Sequence, residues 1–173
     1  MSATPIALVY GSSTCYTEMT AEKIRDYLGA DRVTLINLAD SPLADVQPYP
    51  YIIMGIPTWD YGELQEDWEE RWPELDTVDF TGKPVALFGQ GDQVGYPEWF
   101  LDAMGYLHDK LVVRGALPTG YWPNQGYEFE ASKALTSDGQ LFYGLALDDE
   151  NQFEESEARI QTWCDQLRSE WQL

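Results

Sequence analysis

Apolar runs that are almost unbroken alternate along this chain with segments of helical period. No other feature narrows the possible folds as much. The runs are Ile6–Tyr10, Val33–Asn37, Tyr51–Ile56, Val85–Phe88 and a last one near Ala116–Tyr121. A strand with one wet face alternates apolar and polar residues, whereas a run without alternation reads as a strand covered on both faces. Between the runs, apolar residues recur at helical spacing: Ala21, Ile24 and Leu28; Leu64, Trp68, Trp72 and Leu75; Phe100, Ala103, Met104, Leu107 and Leu111. Ile160, Trp163, Cys164, Leu167 and Trp171 form a further stripe at the C-terminus. Five strands alternating with helices predict an α/β fold, a doubly wound parallel sheet with right-handed crossovers.

One stretch breaks the alternation. After GALPTGYW comes PNQGYEFEASKALTSDGQ (Pro123–Gln140), and then a further apolar run, Leu141–Leu147. Connections this long in a compact domain are uncommon. Tyr127, Phe129 and Ala131 alternate with acids, which predicts a strand with one wet face. The stretch reads as an insertion that splits the last strand. No repeat or linker interrupts the chain, so residues 1–173 are expected to form a single domain.

Charge removes whole classes of function. Thirty acidic residues against ten Lys and Arg give a net charge of −20. Phosphate backbones and anionic bilayers both demand cations, so nucleic acid and membrane surfaces are excluded as partners. The acidity has two readings, solubility and the steering of basic partners. Cys15 and Cys164 make no disulfide framework, MSATP leads straight into a strand, and no apolar run spans a bilayer. The expectation is a cytoplasmic, reduced monomer.

In doubly wound sheets ligands bind beyond the carboxyl ends of the strands. Three loops should therefore meet: GSSTCYTE after the first strand, GIPTWDYGE after the third and GQGDQVGYPEW after the fourth. The first is neither a Walker turn nor a dinucleotide turn, and it contains no Lys or Arg. Its hydroxyls can cap a helix, or they can join backbone N–H groups in holding a monophosphate. Trp59 and Tyr96 can pack on each other at the sheet edge, or they can clamp a flat ring between them. A flat ring with one phosphate describes flavin mononucleotide.

Taken in order, YGSSTCYTE, GIPTWDYGE, ALFGQGDQVGYPEWFLDAMG and GYWPNQGYEFEASKAL resemble the flavodoxins over essentially the whole chain. The last stretch resembles the extra segment of the long-chain members. The SSTCYTEM turn resembles the bacterial flavodoxin 2 group. The resemblance implies a five-stranded sheet of order 2-1-3-4-5 and a non-covalent FMN acting as a low-potential one-electron carrier. Ser12, Ser13, Thr14, Cys15, Tyr16 and Thr17 would surround the phosphate, and Trp59 and Tyr96 would sandwich the isoalloxazine. The backbone from Thr58 through Asp60 to Tyr61, with Pro57 and Gly62 beside it, would face the N5 edge. The loop from Gly89 through Gly91 and Asp92 would face the pyrimidine edge, and Asp148 would reach the ribityl chain.

Two positions depart from the family pattern. The usual T-G-x-T turn reads Thr14-Cys15-Tyr16-Thr17, which strains Cys15 if that position needs a positive φ. Asp60 adds a charge beside the ring and flips less freely than Gly. The acids Asp60, Glu63, Glu66, Asp67, Glu69 and Glu70 would ring the exposed edge of the cofactor. There they would steer basic redox partners such as a flavodoxin reductase and acceptor enzymes. A quinone reductase on the same fold is the alternative. It needs an open face above the ring, which Trp59 and Tyr96 would block. Lone His108 reads as a surface or partly packed imidazole rather than a ligand.

Overall fold

A computed structural model describes residues 5–173, and in it the apolar runs are strands of one parallel sheet. They are β1 (Ile6–Tyr10), β2 (Val33–Asn37), β3 (Tyr51–Trp59), β5 (Pro84–Gln90) and β6 (Leu117–Thr119). Their spatial order is β2-β1-β3-β5-β6. Ile6 lies opposite Val33 on one side and Tyr51 on the other, and Ile52 lies opposite Val85. Every residue of β1 is buried because both faces are covered. Ala7 and Val9 join one core, while Ile6 and Leu8 join the other.

Helices α1 (Tyr16–Leu28) and α4 (Phe153–Glu170) cover one face through Ile24, Leu28, Ile160, Trp163 and Leu167. Helices α2 (Glu66–Arg71) and α3 (Asp102–Val113) cover the other through Trp68, Met104 and Leu107. Trp163 meets Phe88 edge-on with centroids 6.4 Å apart, and its Nε1 donates to the Gly120 carbonyl at 2.8 Å. The Phe88 ring lies directly on β3 at Gly55, where a Cβ would come within 2.2 Å of it. Truncating a buried aromatic of this kind to Ala costs about 3–5 kcal/mol.

The last strand is split, as the sequence predicts. β6 pairs with Pro84–Ala86 of β5, and β9 (Leu145–Leu147) pairs with Phe88–Gln90. Between them β7 (Trp122–Pro123) and β8 (Leu141–Phe142) form a short antiparallel pair that closes the neck of the insertion.

Two expectations need correction. Residues 127–131 form no strand. Their alternation reflects Tyr127 and Phe129 packing on Phe100, with centroids at 5.9 and 5.1 Å. Leu64 to Leu75 is not one helix either. Leu64 lies in β4 (Glu63–Leu64) against Thr58, and α2 gives way at Trp72 to a 3₁₀ turn with Pro73 at its start. Proline has no N–H for the α-helical ladder, and its ring collides with the carbonyl four residues back.

Candidate functional site

The carboxyl ends of β1, β3, β5 and β9 open onto one cleft of about 250 Å³. It is lined by Thr14, Tyr16, Pro57, Thr58, Trp59, Asp60, Gln90, Gly91, Asp92, Tyr96 and Glu150. β1 lies between β2 and β3, so connections leave it in opposite directions and a crevice opens there. The three loops compared from the sequence do converge. Ser12, Ser13, Cys15, Thr17, Tyr61, Gly62, Gly89 and Asp148 lie around the cleft or beneath it, not on its lining.

The first loop is built to leave backbone donors unpaired. Ser12 Oγ accepts the Glu18 N–H at 3.3 Å, and Ser13 Oγ accepts from Gln65 Nε2 at 2.9 Å. Thr17 is buried. Cys15, the residue before α1, has φ 71° and ψ −11°, so the position where the family pattern has Gly is left-handed here. That conformation costs a non-glycine residue roughly 1 kcal/mol. Among the described residues, no N–H from Ser12 to Thr17 donates a hydrogen bond to the protein. Unpaired donors at a helix start, reinforced by the helix dipole, suit an anion. No Lys or Arg lines the cleft.

The second loop supplies one wall. Trp59 ends β3 and is 37% exposed. Trp59 pairs with Glu63 and Thr58 with Leu64, which makes Asp60, Tyr61 and Gly62 the tip of a hairpin. Asp60 has φ 44° and Gly62 φ 85°. Aspartate tolerates the left-handed region better than most residues. At Gly62 a Cβ would come within 3.1 Å of Asp102 Oδ2. Thr58 Oγ1 accepts the Ala103 N–H at 3.0 Å, which ties the hairpin to the start of α3. Asp102 beneath it is buried, and burial raises its carboxyl above the ordinary value despite the N–H that Lys133 donates at 2.8 Å.

Tyr96 supplies the other wall. Among the described residues no ring contact joins it to Trp59, so the two do not fill each other's space. Tyr61 instead meets Tyr96 and Trp99 edge-on, with centroids at 5.8 and 5.0 Å. The Asp60 carboxylate beside the Tyr96 hydroxyl raises that phenol above its ordinary value. The loop that carries Tyr96 is stitched by carboxylates. Asp92 Oδ1 accepts the N–H groups of Val94 at 3.1 Å and Gly95 at 2.7 Å. Asp148 Oδ2 accepts from the backbone N–H of Gln93 at 3.0 Å and from its Nε2 at 2.8 Å. Asp148 is fully buried, so it braces this loop from below.

Three contributors were not singled out from the sequence. Gln90 lines the cleft and donates through Nε2 to Asp149 Oδ2 at 2.9 Å and to Thr20 Oγ1 at 3.2 Å. Its place at the end of an apolar run was the available signal. Glu150 lines the cleft from the loop after β9, a position that depends on where the insertion ends. Gln65 is buried and holds Ser13 across 52 positions of sequence.

Elsewhere, of the two positions expected for His108, at the surface or partly packed, the structure bears out the packed one. His108 is buried and stacks on Tyr143 with centroids 3.6 Å apart and planes 1° off parallel. Burial pushes the Cys164 thiol up to about 12. Among the described residues no group of His, Cys, Asp and Glu is arranged to hold a metal.

The family model described as Flavodoxin matches residues 8–163. Flavodoxin 2 of Salmonella typhi is 59% identical over 165 residues, covering 95% of either chain. The flavodoxin of Nostoc sp. (strain PCC 7120) is 49% identical over 168 residues, covering 97% of this chain and 98% of its own. Among solved structures, Fusobacterium nucleatum flavodoxin bound to flavin mononucleotide superposes with a TM-score of 0.89 at 30% identity. That match covers 96% of this chain and 98% of the other.

Proposed function

The chain belongs to the flavodoxin family, and from that premise we propose how its cleft works. The protein holds FMN non-covalently and carries single electrons at low potential, from a reductase to acceptor proteins with basic docking faces. The observation that carries this reading is an anion seat without a cation beside an aromatic slot. The Ser12–Thr17 N–H groups have no partner among the described residues, and Trp59 and Tyr96 line the cleft without touching each other.

The residues present fit a flat ring ending in one phosphate. The N–H groups of the first loop and the Thr14 hydroxyl would take the phosphate, with the dipole of α1 behind them. Trp59 and Tyr96 would take the two faces of the ring and keep water off it. The backbone of Thr58–Tyr61 and of Gly89–Asp92 would meet its polar edges. FMN supplies the one-electron chemistry. This chain sets its cost through charge: Asp60, Asp92 and Glu150 all line the cleft. Carboxylates near a ring in an apolar slot oppose any negative charge placed on it, which lowers the potential of the last electron. Rings on both faces leave no room for a hydride acceptor, which favours a carrier over a quinone reductase.

The rest of the reading is a monomer of one domain, residues 1–173, working in the cytoplasm and steered by its acidic surface. Among the described residues no helix is long and apolar enough to cross a membrane. Steering by a net charge of −20 is screened by salt, so electron transfer to a basic acceptor should slow as ionic strength rises.

The test is an absorption spectrum of the purified protein, an FMN titration, and potentiometry with optical detection. The expected result is a yellow protein reduced in two separate one-electron steps. A colourless protein that takes up no FMN overturns the cofactor, and a single two-electron step overturns the carrier.

A further inference from the structure

We propose that a groove between the α2 region and α3 is an anchoring site for a basic, apolar-tipped helix on the protein partner. The proposal rests on the electron-carrier reading only for the existence of such a partner. The groove has a volume of about 540 Å³ and is lined by Leu64, Trp72, Tyr106, Asp109, Lys110 and Val113. Helix α3 points Ala103, Met104, Leu107 and Leu111 into the core. Tyr106 and Val113, seven residues apart and therefore on one helical face, stay outside it. Val113 is 84% exposed. Folding buries the inner stripe and leaves the outer one exposed, with Lys133 donating to the Tyr106 hydroxyl at 2.7 Å.

Charge selects the occupant. From Asp60 to Asp76 the chain holds eight carboxylates and one cation, Arg71. Arg71 pairs with Glu74 at 3.1 Å, and Lys110 on the groove wall pairs with Asp76 at 2.8 Å. Two further cations lie near the groove and are engaged by neutral groups: Lys133 donates to the Tyr106 hydroxyl at 2.7 Å and Arg114 to the Asp76 carbonyl at 2.7 Å. The apolar floor is thus bordered by carboxylates in excess, and the nearby cations are already held by partners within the chain. A second copy of this chain would bring the same sign of charge to the contact. A helix with Lys or Arg on its flanks and Leu-like residues on one face matches both the rim and the floor.

The groove is also continuous with the cleft. Leu64 on its wall pairs with Thr58 on the cleft wall, across the hairpin that carries Trp59 and Asp60. A partner anchored here would be held beside the exposed ring edge without covering it. Anchoring and electron transfer then depend on different residues and can be changed separately.

The test uses FMN-loaded, isotope-labelled protein and two synthetic peptides of fourteen residues. One places Lys and Leu at helical spacing, and the other has Ser at every Leu position and the same charge. The Lys/Leu peptide should shift the Trp72 indole, Tyr106 and Val113 resonances saturably, and the Lys/Ser peptide should not. Val113→Glu lies on an exposed turn and should fold normally. It should weaken the Lys/Leu peptide about tenfold, although its added negative charge favours any purely electrostatic attraction. Equal binding of the two peptides overturns the proposal, as do shifts confined to Trp59, Tyr61 and Tyr96, or unchanged binding by Val113→Glu. Concentration-dependent self-association that moves the same resonances also overturns it, in favour of a second copy. Loss of FMN uptake is read separately by absorbance and overturns the carrier reading, not the groove.

Discussion

The turn Gly11–Thr17 and the insertion Pro123–Gln140 are both irregular, and they treat their polar groups in opposite ways. Most of the insertion's backbone N–H groups find partners within the fold. The Asn124 N–H donates to the Gln140 carbonyl at 3.0 Å, and the Thr136 N–H to the Leu141 carbonyl at 2.8 Å. Tyr127 OH donates to the Ala146 carbonyl at 2.6 Å and accepts from Trp122 Nε1 at 2.9 Å. Its ring packs beneath the Arg159 guanidinium, 4.3 Å from the centroid, and burial pushes its phenol up to about 12. The turn, by contrast, leaves its N–H groups unpaired and holds Cys15 in a strained conformation. Irregular backbone is therefore not the mark of the site. The mark is an unbroken run of N–H groups, Ser12 to Thr17, left without partners at a helix start, because such a run costs free energy until a ligand satisfies it.

That contrast can be broken most forcefully at the foot of the insertion, where β8 packs on its aromatic side chains. Phe142 is fully buried among Phe100, Tyr127 and Phe129. Phe142→Ala should cost about 3–5 kcal/mol of stability in urea unfolding while the folded fraction still binds FMN. A loss below about 1 kcal/mol would remove the insertion from the core. Trp59→Ala should do the reverse. FMN affinity, read by fluorescence quenching, should fall roughly 10- to 100-fold, and the stability of the flavin-free protein should change by no more than about 0.5 kcal/mol. If both variants lose stability equally, the two regions are one cooperative structure and the contrast fails.

Cys15 offers a finer probe. At φ 71° the side chain is the source of the strain, so Cys15→Gly should be more stable than Cys15→Ala by about 1 kcal/mol. Equal stability would mean that the turn relaxes when FMN is absent.

The smallest effects are in pH. Burial raises the folded carboxyl of Asp102 and lowers the folded imidazole of His108. A raised carboxyl binds its proton more readily in the folded state, so this group favours folding as pH falls toward its unfolded value. A lowered imidazole stays neutral while the unfolded chain takes up a proton. That group therefore withdraws stability as pH falls below about 6.5. Asp102→Asn, which keeps an acceptor for the Lys133 N–H, should raise the melting temperature at pH 7 by roughly 2–4 °C, and the gain should vanish near pH 4. His108→Gln should flatten the loss of stability between pH 7 and 5. Melting curves across this range would expose either sign error.

Much of this arrangement was legible. Continuous apolar runs identified the strands, and the rule for ligands in doubly wound sheets selected the three loops that converge. The strain at Cys15 was foreseeable from a single departure in a turn. The two aromatic walls were visible as large rings placed just after strand ends. What escaped notice lay in long-range partnerships: Gln65 holding Ser13, Asp148 bracing Gln93 from below, and Glu150 arriving from beyond the insertion. The supposed strand at 127–131 failed for the same reason. Its alternation served an aromatic cluster with members more than ten residues away on either side.

Side-chain polarity, read in order along the chain, determined the parallel sheet, its two covering layers and the edge at which a ligand must sit. Those follow from burial, which each segment encodes locally through its own period. Only the tertiary structure decided which donors and acceptors would go unanswered, and so where the unpaired N–H groups of the first loop, the two cleft-lining rings and the exposed groove lie. Hydrogen-bond satisfaction belongs to neighbours in space, and no residue carries it in its own identity.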